Sequence, residues 1–410
     1  VASRIVRAEA WMVRTRTDLA STKGRTLSGA CLAHILHDGY SDLIYVLLPV
    51  WQEQFALGFA ALALVRTLYV GALAALQIPA SRLAHRFGAR MVLGLGTLLS
   101  AGGYGLAGAS GGLAGLCTAL VIGGIGASTQ HPLASSLISR AYGSAARGPL
   151  GTYNFAGDLG KATVPPLVTL LLVFLGWRGA LWVIAAVGVA VALAVAWLLP
   201  KGPDMIEGRN ATQPMQSSGE VTASDTGFGL LVAIGMLDNA ARPAFLLYLP
   251  FLLQEKGAAL TTVGLAFSLV FVGGALGKAV CGRLGAKLGV IPTVVATEAG
   301  TAVAIMAVVM LPLAPVLILL PVLGVMLNGT SSVLYGTVPE LAPGGRVERA
   351  FAVFYTFTLS GSALATPLIY GRLGDHLGPH GAVVAAAATA FAVVPLALAL
   401  APFLRAGPCR

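Results

Sequence analysis

The chain has 410 residues, 57% of them hydrophobic and only 10% charged, with a mean hydropathy of +0.84. About 20 apolar residues cross a bilayer as a helix, so this composition excludes a soluble enzyme and requires an integral membrane protein with on the order of a dozen spans. The formal charge of +10 does not imply nucleic acid, because Lys and Arg are spread through every second loop rather than gathered on one soluble surface.

Residues 1–27 are basic, lack a long apolar run, and are expected as a cytoplasmic tail. Apolar runs follow at about 28–51, 59–80, 91–109, 113–138, 149–175 and 178–199. Residues 201–226, rich in Gly, Ser, Thr, Asn and Asp, read as a linker that cannot bury a core. Further runs at about 227–253, 260–281, 289–312, 315–338, 350–371 and 380–404 precede a short tail, 405–410. The predicted fold is all-α: twelve transmembrane helices in two six-helix bundles, 28–200 and 227–404, joined by a cytoplasmic linker. Loops assigned inside hold eleven Lys and Arg, whereas those assigned outside hold Arg178, Lys256 and Arg372. Both termini are therefore expected in the cytoplasm, and the protein in the plasma (inner) membrane.

The halves repeat at an offset of 201–202: Arg82, Leu83 and Gly88 return as Arg283, Leu284 and Gly289, Leu48 and Pro49 as Leu249 and Pro250, and Arg147, Tyr153, Phe155 and Pro165 as Arg349, Tyr355, Phe357 and Pro367. Three sets in the same order point to a duplication, with two parallel halves able to rock about a central site.

The first span is the polar one. His34, His37, Asp38, Ser41, Asp42 and Tyr45 fall within an arc of roughly 140° on a helix of about 3.6 residues per turn. An ionisable group at the bilayer centre costs roughly 2.5–3.5 kcal/mol, so this face is expected to line a polar cavity. A His beside an Asp suits a proton relay, and His34, His37, Asp38, Asp42 and Glu298 are the candidate proton-coupling residues. His and carboxylate also suit a metal, but the set has no metal-site signature, so no metal and no cofactor are assigned. Cys31, Cys117, Cys281 and Cys409 are scattered and read as packing residues.

Asp158 and Lys161, three apart, and Asp238 and Arg242, four apart, can each neutralise one another on one helix face or exchange partners with a substrate. Arg66 and Lys278 could snorkel to an interface. The candidate substrate-binding residues are Tyr45, Arg66, His131, Asn154, Asp158, Lys161, Asp238, Arg242 and Tyr355. Cations at membrane depth favour an anionic or zwitterionic small molecule.

At this point the chain resembles the major facilitator superfamily of secondary transporters. The stretch 81–90, SRLAHRFGAR, matches that superfamily's loop G-x-L-x-D-R-x-G-R-R/K at Leu83, Arg86, Gly88 and Arg90, with a degenerate copy ending at Gly289. His85 and Ala286 stand where the family has Asp. Within the superfamily the chain is similar to the fosmidomycin-resistance group of drug exporters, through Leu32, His34, Leu36 and Asp38, and through Gly124, Gly126, Ser128, His131 and Pro132. Of the antiporter motif in span 5, Gly157, Gly160 and Pro165 are present, and Leu120 stands where many drug:proton antiporters carry Arg.

These readings together point to a monomeric, proton-coupled secondary transporter working by alternating access, and to export by antiport. Its partners are protons, lipid and a small anionic or zwitterionic substrate. Uptake of an organic anion is the alternative direction. A membrane sensor or scaffold is the alternative class, though it has no need of buried charge on so many spans. An enzyme is excluded by the absence of a soluble catalytic domain and of GxSxG, HExxH or phosphate-loop motifs.

Overall fold

The computed structural model describes residues 2–200 and 225–405; the side chains of 2–20, 348, 352 and 405 are outside that description. The linker assigned to 201–226 lies outside it over 201–224, as do 406–410. The described residues form helices α1 (Ala2–Phe55), α2 (Phe59–Ala75), α3 (Gln77–Phe87), α4 (Ala89–Ala109), α5 (Leu113–Ala127), α6 (Gln130–Tyr142) and α7 (Arg147–Leu198). They continue with α8 (Asp225–Glu255), α9 (Leu260–Leu288), α10 (Val290–Met310), α11 (Leu313–Thr337), α12 (Val347–Ala365) and α13 (Arg372–Arg405), with a π-helical turn at Thr366–Gly371.

By length and composition, eight helical stretches can cross a membrane, or nine with the bent pair α2 and α3. Two of the eight are double: α7 turns at Gly176 (φ 63°) and α13 at Gly378 (φ 72°). With those turns and α1, whose ionisable side chains depress its hydropathy, the described residues accommodate the twelve spans. The polar tail assigned to 1–27 is helical from Ala2 and continuous with the first span.

The duplication is written in the backbone. Positive φ occurs at Ala56, Gly88, Gly143 and Gly176, and again 201–202 residues on at Gly257, Gly289, Gly345 and Gly378. Each residue sits where one helix stops and the next starts at a new angle, a conformation that glycine adopts without a Cβ penalty. Side-chain contacts repeat as well. Gly188 meets Tyr40 and Ala101, and at the same offset Ala390, Ala241 and Ala302 form an apolar cluster.

The chain divides into two compact units. The first comprises Val1–Ser41, Gly71–Gly160 and Arg178–Gly208, with a core that includes Ala33, Leu93, Leu133, Ile138, Tyr153 and Val195. Arg90 of the loop motif donates from Nε (3.0 Å) and from Nη2 to the Ala196 carbonyl, near the C-terminal end of α7, where a cation satisfies an otherwise open acceptor.

The second unit comprises Asp42–Val70, Lys161–Trp177 and Arg209–Arg410. Its core includes Leu231, Ile234, Val294, Leu334 and Phe354. Two joints hold 42–70 and 161–177 within it. The Ser268 hydroxyl donates to the Ala162 carbonyl (2.6 Å), and the Asp375 carboxylate accepts from the backbone N–H groups of Phe59 (2.5 Å) and Ala60 (3.2 Å). The second joint caps the first turn of α2 with an anion brought from α13, and the Phe59 ring packs on Tyr248 and Phe251.

A carboxylate cap is worth about 0.5–2 kcal/mol. Asp375→Ala is therefore expected to open this joint more often, by about 2- to 30-fold in population. The measurement is the maleimide-labelling rate of a cysteine placed at the buried Leu62 of α2 in a cysteine-free background; an unchanged rate would show that the cap does not hold the joint.

Candidate functional site

His34 and Asp38 lie in the first unit, whereas Asp42 and Tyr45 belong to the second. His37, at the edge of the arc, lines a cavity of about 10 Å³ with Thr97, Ser100, Thr129 and Gln130, room for about one water. The His37 ring also meets the His131 ring edge-on, with centroids 5.0 Å apart.

In the first unit, His34, Asp38 and His131 come together. His34 Nε2 is 3.3 Å from Asp38 Oδ2, and His131 Nε2 is 3.9 Å from Asp38 Oδ1. The His34 ring stacks on Tyr153 at 4.0 Å, and its Nδ1 is 2.7 Å from the Tyr153 carbonyl. A carbonyl can only accept, so Nδ1 carries hydrogen and donates. Nε2 and the carboxylate would then both be acceptors, and their contact is attractive only when a proton lies on one of them. The donor atoms of the three residues all lie within 4.8 Å, close enough to share one small cation, and no other such trio occurs among the described residues.

Glycine makes this approach feasible. A Cβ on Gly157 would lie 2.6 Å from both Asp38 Oδ2 and the His34 ring, and one on Gly160 would strike the Ile35 carbonyl. Gly157→Ala is expected to separate His34 from Asp38 and to flatten the pH dependence of transport. Flux measured against pH in liposomes checks this, and an unaltered profile would detach the pair from coupling.

The second unit gathers cations about Tyr45. The Arg66 guanidinium lies over the ring of the buried Tyr45, 4.2 Å from its centroid. The charges of Arg66, Asp42, Arg242 and Lys161 all act on the Tyr45 hydroxyl.

Arg242 and Asp238 form the expected pair along α8, Nη2 to Oδ2 at 3.7 Å. Ser331 of α11 sits between them, accepting from Arg242 Nη2 (2.5 Å) and donating to Asp238 Oδ2 (3.1 Å). Arg242 Nε donates to the Leu327 carbonyl (3.2 Å). Glu298 of α10 is buried, its carboxyl group within hydrogen-bonding reach of Asp238.

Among the other candidates, Asp158 is buried and Lys161 half-buried, while Asn154 is exposed and joins neither cluster. Tyr355 is exposed, its ring 4.9 Å from Tyr335. In the loop motif, Leu83 is exposed and Gly88 and Gly289 both take positive φ, as the repeat requires. Arg86 lies over the neighbouring Phe87 ring at 5.4 Å.

Sequence reasoning missed Ser331, Tyr335 and Gln130 as site residues and used Tyr153 only as a repeat marker. Ser331 was findable as part of NGTSS, 328–332, a polar island in an apolar span. Gln130, whose Oε1 accepts from the Tyr153 hydroxyl (3.1 Å), sits at the break between α5 and α6.

A duplicated set of apolar spans that keeps ion pairs and cations among its helices defines a multi-pass membrane transporter rather than an enzyme. A family model described as Major Facilitator Superfamily matches residues 30–219 and 228–408, and the chain belongs to that family.

The chain is 26% identical over 253 residues to the probable L-galactonate transporter of Escherichia coli (strain K12), covering 56% of this chain and 54% of that one. It is 31% identical over 206 residues to the probable sulfoacetate transporter SauU of Cupriavidus necator, covering 48% and 46%. To the fosmidomycin resistance protein of Escherichia coli (strain K12) it is 23% identical over 178 residues, covering 42% and 44%. The chain thus spans about half the length of these relatives. A crystal structure of a bacterial homolog of the human lysosomal transporter Spinster, inward-facing and occupied, shares the fold: TM-score 0.75, 15% identity, with 94% of this chain and 96% of that one covered.

Proposed function

We propose that the protein carries a small organic anion across the plasma (inner) membrane by alternating access, coupled to protons. The observation that carries this reading is the set of cations, Arg66, Lys161 and Arg242, acting on Tyr45 with Asp42 as the counter-charge. Cations gathered at a buried phenol favour a ligand with a carboxylate, sulfonate or phosphonate, which Arg binds through paired N–H groups. Two of the relatives are named for transport of acids, L-galactonate and sulfoacetate. Either side of a zwitterion fits as well, with Asp42 for its cationic end.

The proton site is Asp38 with His34 and His131, where a shared proton turns two facing acceptors into a bonded pair. Its protonation changes with the access state, because water reaching the pair favours the charged carboxylate and a dry site disfavours it. Export by proton exchange is the direction implied by the resemblance to the fosmidomycin-resistance group. Uptake together with protons is the second reading, favoured by the Asp238–Arg242 pair.

The test is flux in liposomes carrying an internal pH indicator, with sulfoacetate, L-galactonate and a phosphonate added singly. Substrate-dependent proton movement supports the reading, and its absence with all of them counts against coupling. The topology is tested by labelling single cysteines in intact cells: external labelling at any of 205–222 would overturn cytoplasmic termini.

A further inference from the structure

Asp238 and Glu298 are both buried, 6% and 2% exposed, and their carboxyl groups lie close enough to share a hydrogen bond. Two ionised carboxylates have only acceptors and repel, so carboxyl groups this close and this buried are stable together when one of the two carries a proton. The pair then holds a single negative charge, and Arg242 is the cation that balances it, directly at 3.7 Å and through Ser331.

Arg242 also belongs to the group acting on Tyr45, so it stands between a proton-binding pair and the proposed anion site. The charged and titratable groups about the pair are Arg242 on α8, Glu298 on α10, Tyr335 on α11, which feels both Asp238 and Arg242, and Tyr355 on α12 against Tyr335. The helix α9, which also packs on α8, carries Lys278, and α13 brings the apolar Ala390 to Ala241 and Ala302. Beside the pair, Gly235, Asp238, Asn239, Ser331, Tyr335 and Thr358 line a cavity of about 10 Å³, room for about one water to deliver a proton.

We infer that Asp238 and Glu298 form a second proton site, distinct from the one on α1, and that its second proton releases Arg242 to bind the substrate anion. A hydronium ion gives its proton to the carboxylate oxygen that faces Arg242, leaving water, two neutral carboxylic acids and an uncompensated guanidinium. An anion then restores neutrality. Proton and anion therefore bind together, and by linkage each raises the affinity for the other to the same degree. This co-binding gives symport through this site, the opposite sign to exchange. The step rests on the proposed anion transport, whereas the shared proton does not.

The inference is tested on the purified full-length protein in two measurements. Infrared difference spectra of wild type at neutral pH should show the C=O stretch of a protonated carboxylic acid, lost in both Glu298→Gln and Asp238→Asn. A spectrum without that band, or one that neither variant alters, overturns the shared proton.

Sulfoacetate binding, followed by calorimetry across pH, should tighten by up to about tenfold per unit fall in pH, the limit for one linked proton. That slope should vanish in Glu298→Gln and in Asp238→Asn. Binding that tightens as pH rises, or a slope unchanged in both variants, overturns the release of Arg242. If wild type binds neither sulfoacetate, L-galactonate nor a phosphonate at any pH, the anion reading and the Arg242 step fall together, while the infrared band still decides the proton pair.

Discussion

Asp38→Asn is expected to abolish pH-driven transport while leaving substrate exchange across the membrane without a gradient. A one-unit pH difference supplies about 1.4 kcal/mol per proton, or about tenfold accumulation, and a coupled transporter loses that accumulation when its proton carrier cannot ionise. The amide keeps the size of the carboxyl and can still hydrogen-bond His34, so the rocking of the helices continues without proton transfer. Accumulation ratios measured with and without a pH gradient, beside counterflow of labelled substrate, separate the two functions. Wild-type pH dependence in both Asp38→Asn and Asp42→Asn would move coupling away from α1, leaving the Asp238–Glu298 pair to carry it.

Arg242→Ala is expected to weaken binding of the anionic substrate by about 2–5 kcal/mol, roughly 30-fold or more, because it removes a half-buried guanidinium and leaves the ligand's charge poorly matched. Arg242→Lys should fall between, since it restores the charge without the fork that reaches Ser331 and the Leu327 carbonyl. Lys161→Ala should weaken binding in the same sense. The check is substrate titration of folded, monodisperse variants. Wild-type affinity in both Arg242→Ala and Lys161→Ala would mean that these cations only balance Asp238, Asp42 and Asp158.

The repeat gives the Asp238–Glu298 pair a counterpart position in the first half. At the offset of 201, His37 corresponds to Asp238, Thr97 to Glu298 and Gln130 to Ser331. In the first half His37, Thr97 and Gln130 line one water-sized cavity; in the second, Asp238 and Ser331 line another. The duplicated backbone thus presents the same positions twice, and acids fill them in one half only. His34 and Asp38, in turn, have Gly235 and Asn239 as counterparts, so the histidine–carboxylate pair belongs to the first half alone.

Apolar length and basic-loop distribution determine spans and expected orientation by themselves, because burial of backbone in lipid permits little besides helices there. The duplication was legible for a similar reason: side chains diverge, but the glycines and prolines that turn one helix into the next must stay in register, as Gly88 and Gly289 do. The His34–Asp38 pair was also readable, being one helical turn apart.

What only tertiary structure decided is which distant groups reach each other. Arrival of His131 at Asp38, the meeting of Asp238 with Glu298 across α8 and α10, and the stacking of Arg66 on Tyr45 each depend on how helices rotate about their axes. That rotation is set by close packing at positions such as Gly157 and Gly160, summed over many small contacts, and a periodicity along one strand of sequence contains no record of it.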